Sequence, residues 1–329
     1  MNVLLVGGGG YIGSVVAEYL SRYEEMQIYI VDNYIYENQI PINFKNKKII
    51  NLEISMENFF DSYDFKFDNV ILFAGLVGDP ITKTYPDLSL EINQNSIISF
   101  LNKIRSYSFD KLIFISTCSN YGLLQNDEIA NENTILYPLS LYAKSKVLIE
   151  KKILDTNFRN FNKTILRFST AFGLSKRMRF DLTINQFTYE AYNKKNLKIY
   201  DANTWRPYCH VIDFARAIKN IIFQNNKLIN GEVFNIGLED NNSTKKMLVD
   251  QIYENFTDFK VQYEKDGEDP RNYRVNFQKM RDLLNFEPKY KIDYGIREII
   301  SYLESNRIDD KKISQMGNFK IKEDIINKY

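Results

Sequence analysis

Residues 1–20 read MNVLLVGGGGYIGSVVAEYL, an apolar run, four glycines and then a helical pattern. Glycine is costly inside a strand or helix, so such a run marks a tight turn or a close approach to the backbone. Gly7, Gly10 and Gly13 stand at G-x-x-G-x-x-G spacing, with Tyr11 and Ile12 between the last two. The apolar residues predict a strand over Val3–Val6 and an amphipathic helix over about 12–23. At such a junction, backbone N–H groups and the positive end of the helix dipole can hold a pyrophosphate. Gly13 would let helix and strand pack closely. A purely structural turn is the plain alternative. Asp32 weighs against it, closing the next apolar run (IYIVDN, 28–33) about twenty residues further on, with Asn33 beside it. A carboxylate there can accept the adenosine ribose hydroxyls, and it would repel a 2′-phosphate. No arginine follows, so the expected cofactor is NAD.

Working outward, short apolar runs alternate with helical patterns. Strands are expected at Ile28–Val31, Val70–Phe73, Leu112–Ile115 and Thr164–Phe168, and helices near Met56–Tyr63, Leu88–Tyr107 and Leu139–Leu154. That alternation predicts an α/β fold with a doubly wound parallel sheet of the Rossmann type. After about residue 170 the pattern loosens into helices near 181–194, 211–224 and 244–255, with short strands near 197–200 and 232–236. The expected organisation is an NAD-binding domain over 1–170 and a smaller substrate lobe over 171–329, with some later segments returning to the first domain. Residues 306–329 are charged and suggest no role.

Composition narrows the classes. The 329 residues are 44% apolar and 26% charged, an ordinary globular balance. Lys+Arg 43 against Asp+Glu 42 gives no reason to expect nucleic acid or an anionic membrane as partner. Two cysteines, Cys118 and Cys209, and one histidine, His210, are too few for a zinc site of the usual ligand count. No metal is expected. No run is long enough to span a bilayer, and the first twenty residues lack the basic start of a signal peptide. The expected location is the cytoplasm.

Two stretches carry chemistry. Tyr142-Ala-Lys-Ser-Lys146 places a phenol and an ammonium one helical turn apart on one face. Tyrosine is a poor base near neutrality, but an adjacent ammonium and a positive nicotinamide ring would stabilise its phenolate. Lowering that pKa by about 3 units is worth roughly 4 kcal/mol. IFISTCSNYG (113–122) ends an expected strand and places the Thr117 hydroxyl at the carboxyl edge of the sheet, where open α/β folds bind ligands.

Taken together, the glycine turn, Asp32, S-T-C-S-N-Y-G and Y-x-x-x-K resemble an extended short-chain dehydrogenase/reductase acting on nucleotide sugars, over residues 1 to about 305. The resemblance implies that Tyr142 takes a proton from a sugar hydroxyl, Lys146 tunes it and holds the nicotinamide ribose, and Thr117 bonds the reacting oxygen. It places Glu53, with Ile54 beside it, where the family usually has an aspartate near adenine. Phe73, Ala74 and Gly75 would line the cofactor groove, and Asn93 would start the helix behind it. WRPYCHVIDFARAI (205–218) and EDPRNYRVNFQKMRDLLNFEP (268–288) match nucleotide-binding segments, so Arg206 and Arg271 would clamp the diphosphate. His210 falls at a position that is structural in the family.

The 4,6-dehydratases of this family carry an Asp-Glu pair directly after the catalytic threonine. Here those places hold Cys118 and Ser119, which argues against loss of water. LVGDP (76–80) and TAFGLSKRMRFDLTINQF (170–187) resemble the NAD-dependent GDP-heptose 4-dehydrogenases of bacterial capsule synthesis. That likeness adds Val77, Thr170, Arg179 and Asn185 as substrate contacts. It implies oxidation at C4 of a GDP-sugar, with a nucleotide-sugar 4-epimerase as the alternative and a non-catalytic dinucleotide sensor as a remote one. A homodimer, or an assembly containing it, is expected, paired through the helices near 88–107 and 139–155.

Overall fold

The computed structural model describes residues 1–63, 66–124, 128–193, 196–265, 267, 269–306, 308 and 310–328. Seven strands form its central sheet: β1 (Asn2–Val6), β2 (Gln27–Asp32), β3 (Ile49–Glu53), β4 (Asn69–Leu72), β5 (Lys111–Thr117), β6 (Asn162–Phe168) and β7 (Glu232–Ile236). Their order is β7-β6-β5-β4-β1-β2-β3 and every pairing is parallel. β4 and β5 are buried along their whole length, as strands covered on both faces must be. One face is covered by α1 (Tyr11–Leu20). The other is covered by α2 (Ile97–Ile104) and α3 (Leu141–Asp155), which contribute Ile97, Phe100, Leu101, Ile149 and Ile153 to its core.

Within the central sheet, two elements depart from the sequence expectation. β3 is an edge strand with one buried residue in five, and IINLE lacks the clean alternation that would announce it. β7 was expected in the smaller lobe but runs parallel to β6, from Glu232 opposite Thr164 to Ile236 opposite Phe168. The long helix upstream of it, α4 (Val211–Phe223), brings Phe214, Ile218 and Ile221 into the same core as Val16, Ala17 and Leu20 of α1. The chain thus leaves the sheet after Phe168, builds part of the lobe, and returns.

The lobe holds a three-stranded sheet of Thr170–Phe172, Trp205–His210 and Asn242–Thr244, and a pair made of Asn196–Tyr200 and Lys260–Glu264. Helices Thr183–Tyr192, Lys245–Tyr253 and Ile292–Asn306 pack against them around Phe172, Tyr208, Leu248 and Ile296. The stretch after 309 then crosses back to the first domain. Met316 O accepts from Phe180 N (2.7 Å) in the lobe. Lys320 O accepts from Glu37 N and Lys322 N donates to Ile35 O (2.9 Å each) beyond β2. Ile321 is fully buried beside Ile35, Tyr36 and Leu76. The charged tail, to which the sequence assigned no role, straps the two parts together.

Among the described residues, no helix is long and apolar enough to cross a membrane. Nor do they contain a cluster of His, Cys, Asp and Glu suited to a metal ion.

Candidate active site

A single cleft runs along the carboxyl ends of β1, β2, β4 and β5 and under the lobe. Its floor starts at the glycine turn. Gly7 has φ +78, in the left-handed region, and a Cβ there would stand 2.5 Å from Ala74 N. A Cβ at Gly13 would stand 2.6 Å from Gly8 Cα, so the start of α1 lies directly on the turn. Gly10 differs, since a Cβ there meets nothing nearer than Gly7 O at 3.6 Å. It is the N-cap of the ten-residue α1 and offers no side chain to the helix. Gly7, Gly10, Tyr11, Ile12 and Gly13 therefore line the cleft with an uncapped helix N-terminus, a fitting seat for a pyrophosphate.

Asp32 ends β2 at the same edge. Its Oδ2 accepts from Gly9 N (2.9 Å) and its Oδ1 from Tyr34 N (2.8 Å), fixing the carboxylate beside the turn. Burial raises its pKa, and the two N–H groups oppose that rise. Each oxygen keeps a second lone pair for a ribose hydroxyl. Asn33, Ile54, Phe73, Ala74 and Gly75 continue the lining. These groups suit the adenosine and pyrophosphate of NAD.

Two expected contacts fall elsewhere. Glu53 is exposed at the end of edge strand β3 and does not line the cleft; the strand pleat turns Ile54 inward, and the glutamate that lines this end is Glu57. Asn93 is buried behind the wall. Its Oδ1 accepts from Leu76 N (2.6 Å), and its Nδ2 donates to Leu76 O (3.0 Å) and Ser89 Oγ (3.1 Å). It sits in a π-helical turn, Glu91–Ser96, and shapes the Gly75–Val77 loop from outside.

Thr117, Tyr142 and Lys146 all line the cleft. α3 presents the last two, its start capped by Ser140 Oγ accepting from Ala143 N (3.2 Å). Lys146 Nζ lies 5.9 Å from the Tyr142 ring centre and donates to Ile115 O (2.8 Å). Burial pulls Lys146 down to about 8, against the pull of Glu150. Burial also pushes the Tyr142 phenol upward, with the Asp79 carboxylate second, and Arg179 and Arg271 oppose it. The stabilisation expected from Lys146 together with a nicotinamide ring thus has burial and the Asp79 carboxylate to overcome. A buried phenolate loses hydration, and Asp79 adds negative potential to that loss.

Under these residues lies a buried ion pair, Arg167 Nη2 to Glu150 Oε2 at 2.7 Å. Glu150 Oε1 also accepts from Ser116 Oγ and from Asn120 Nδ2 (2.8 Å), so the pair clamps both sides of Thr117. Thr117 Oγ1 accepts from Ser119 N (3.1 Å), which leaves its own proton free to be donated. Cys118 is fully buried, donates to Arg167 O (3.3 Å), and has its thiol pushed up by burial. It is no nucleophile.

The lobe's wall is cationic. Arg271 Nε and Nη2 donate to Asp269 Oδ1 and Oδ2 (2.7 and 2.8 Å), Nη1 donates to Ser119 Oγ (3.2 Å), and Nη2 lies 2.9 Å from Asp79 Oδ2. Arg206 Nη2 lies 2.9 Å from Asp269 Oδ2, and Nη1 donates to Trp205 O (2.8 Å). Burial alone would raise the Asp269 carboxyl; the Arg271 hydrogen bond and both guanidinium charges hold it well below the usual range. Lys245 lines the same wall. Nothing in its local sequence marks it, whereas Arg177, which also lines the cleft, stands two residues before Arg179. Arg179 is clamped by Asp181 (Nε to Oδ1 3.0 Å, Nη2 to Oδ2 2.5 Å).

Val77 and Thr170 line the cleft, but Asn185 does not. Asn185 is fully buried. It accepts from Gly173 N (3.1 Å) and donates to Tyr11 OH (3.1 Å) and Arg179 O (2.8 Å), which makes it a brace behind both walls. Tyr11 OH in turn donates to Gly173 O (2.5 Å), Ser175 Oγ donates to Tyr11 O (2.7 Å), and Ser14 Oγ and Ser175 Oγ are 2.9 Å apart. His210 is also buried and outside the cleft, its Nε2 3.0 Å from Glu298 Oε2.

Residues 3–237 match the model of the NAD dependent epimerase/dehydratase family. An uncharacterized UDP-glucose epimerase of Bacillus subtilis, YtcB, is 24% identical over 323 residues, 93% of this chain and 98% of that protein. The dTDP-glucose 4,6-dehydratase of Bacillus anthracis, solved with NAD, is 26% identical with a TM-score of 0.78, over 93% of this chain and 97% of that one. The UDP-glucose 4-epimerase of Thermotoga maritima, solved with UDP-glucose, shares the fold at a TM-score of 0.79 and 23% identity, over 94% of this chain and all of that one (100%).

Proposed function

We propose, for a chain that belongs to the NAD dependent epimerase/dehydratase family, oxidation of a nucleotide sugar at C4. The observation that carries this reading is one cleft in which Thr117, Tyr142 and Lys146 lie between an uncapped helix N-terminus and a wall holding Arg206, Lys245 and Arg271. The first end suits a dinucleotide and the second a nucleoside diphosphate, which leaves the sugar between them at the phenol.

The residues divide the work. Arg206, Arg271 and Lys245 hold the diphosphate, the two guanidinium planes already oriented by Asp269. Thr117 donates to the C4 oxygen with the proton that its bond from Ser119 N leaves free. Tyr142 takes the hydroxyl proton, and Lys146, anchored on Ile115 O, holds the nicotinamide ribose. The glycine turn and Asp32 would hold NAD, which would supply the hydride acceptor and a positive charge opposing the rise that burial imposes on the Tyr142 phenol. The sugar becomes a 4-ketone that keeps all its oxygens. Cys118 is buried and Ser119 holds Arg271, so neither can expel a C6 hydroxyl.

The sugar we assign is GDP-D-glycero-α-D-manno-heptose, on the likeness of segments 76–80 and 170–187, with the product entering capsule synthesis. A second reading, in which the hydride returns to the opposite face of a UDP-sugar as in a 4-epimerase, draws support from the naming of YtcB as a UDP-glucose epimerase. The proposed assembly is a homodimer; Leu90 and Leu148, on the helices assigned to its interface, are exposed. Sedimentation that gives a monomer mass would remove it.

Incubation with GDP-manno-heptose and, separately, with UDP-glucose decides among these outcomes by product mass. A product two hydrogens lighter than the heptose substrate is expected, and an isomer of unchanged mass supports the epimerase. A product lighter by one water overturns both.

A further inference from the structure

The strap that follows residue 309 forms part of the cleft as well as tying the domains. Asn318 and Phe319 both line it. Asn318 is nine-tenths buried, with 9% exposure. Its Nδ2 donates to Val77 O (2.8 Å) and its backbone N to Asp181 Oδ2 (3.4 Å). Its Oδ1 is buried and accepts from no group among the described residues. A buried carbonyl oxygen left unpaired has lost its hydration without compensation, so such an atom in a cleft wall needs a donor.

The free atom's chemistry selects the partner. An amide oxygen accepts and cannot donate, so it suits neither a phosphate nor a carboxylate. It suits a hydroxyl or an N–H. The surroundings then say which. Asn318 hangs from Val77 and Asp181; Asp181 clamps Arg179, and Asp79, two residues after Val77, is paired with Arg271 of the cationic wall. The strap thus borders the cleft beside Val77 and Arg179, both expected among the substrate contacts. Phe319 is half-exposed yet fixed, because its ring folds onto Gly317, where a Cβ would stand 2.4 Å from the ring. A fixed aromatic face beside a hydroxyl acceptor is a good seat for a pyranose, whose C–H face packs on the ring while a hydroxyl donates nearby.

We infer that Asn318 and Phe319 are sugar-specificity residues: Asn318 Oδ1 accepts a hydrogen bond from a hydroxyl of the bound sugar, and Phe319 covers the sugar's apolar face. The inference rests on the nucleotide-sugar reading above and adds a contact from a segment outside the sequence resemblance.

The test is calorimetric titration of the NAD-saturated full chain with a nucleotide sugar and with the matching free nucleoside diphosphate, using GDP-manno-heptose with GDP, and UDP-glucose with UDP. Asn318→Ala should weaken binding of the nucleotide sugar about three- to tenfold, the range of one neutral hydrogen bond, and leave the free diphosphate and NAD unchanged. Phe319→Ala removes a half-exposed ring, so folding is not at stake, and should weaken the nucleotide sugar about threefold with the same selectivity. A wild type that prefers the nucleotide sugar, with both variants keeping that preference in full, overturns the inference alone. So does an Asn318→Ala variant that loses NAD affinity instead. A wild type that binds the sugar nucleotide and the bare diphosphate equally overturns the nucleotide-sugar reading, and the inference with it.

Discussion

The wall of the cleft around the glycine turn is made mostly of backbone, whereas the wall across from it is made of charged side chains held by other charges. On the first wall the functional groups are the N–H groups at the start of α1, and the side chains matter chiefly by being absent. Gly7 and Gly13 leave no room for a Cβ, and Gly10 leaves room for a ligand. On the second wall, Arg206 and Arg271 converge on Asp269, and Asp79 reaches Arg271 from the opposite domain. Backbone sites fix residue type at short, regular spacing. Charge clusters fix only the sum of charges, and any segment that arrives there can supply one. The first wall should therefore fail abruptly under substitution and the second by degrees.

Tyr142, between the two walls, carries the largest expected effect. Tyr142→Phe should keep fold and NAD binding while turnover falls at least about a hundredfold, the usual span of a general base. Rapid-quench turnover with cofactor titration checks both halves, and retained turnover would point to a different base. On the charged wall, Arg271→Ala should raise KM for the nucleotide sugar about ten- to a hundredfold, as expected for a lost charged hydrogen bond, with NAD affinity unmoved. Arg271→Lys should recover part of it, because the point charge survives and the planar fork does not.

The glycines sharpen the contrast within one turn. Gly13→Ala should destabilise the protein by about 1–3 kcal/mol through forced overpacking, visible as a lowered Tm without any ligand. Gly10→Ala should leave Tm unchanged and weaken only NAD. Equal Tm losses would contradict the distinction between steric and ligand-facing glycines. Asp32→Ala should narrow the preference for NAD over NADP by about tenfold, since one repulsive charge is removed; unchanged discrimination would dissociate the carboxylate from the ribose.

The smallest effect concerns pH. Lys146 has a folded-state value of about 8 against an ordinary 10.5, so burial disfavours its charged form. Below pH 8 both folded and unfolded chains carry the charge and the burial cost is felt in full. That cost is relieved as pH rises from 8 towards 10.5, so the group contributes a gain in stability across that window. Activity should move the other way. If the ammonium is the active form, kcat/KM should be roughly halved at about pH 8 and continue to fall, and in Lys146→Arg that limb should disappear. A profile that rises through this range in both proteins would assign the titration to another group.

The same contrast explains what the sequence disclosed. The parallel sheet, the glycine turn, Asp32, Thr117 and the Tyr142–Lys146 pair all follow from local pattern, because each depends on neighbours within a few residues. β3 was hidden because an edge strand buries too little to impose alternation. β7 and α4 were misplaced because only tertiary packing tells that the chain returns to its first core. Glu53 and Asn185 have the right chemistry but the wrong orientation, and orientation is decided by pleat and packing. Lys245, Asp79 and Asn318 were invisible for a further reason: they reach the cleft from segments some 240 residues apart in the chain, and no spacing rule connects them.

One set of contacts has a kinetic meaning. The first turn of α1 is bonded to the lobe through Tyr11, Ser14, Gly173 and Ser175, and the strap, bonded to Ile35, Glu37 and Val77, adds Asn318 and Phe319 to the lining of the same cleft. A dinucleotide seated on that turn would be enclosed by chain from both domains, and its departure would require the domains to separate. Its residence time would then be set by that separation rather than by its own contacts. Under this regime NAD would behave as a built-in group, and on the proposed oxidation the oxidant that resets it would have to enter by the route the sugar uses.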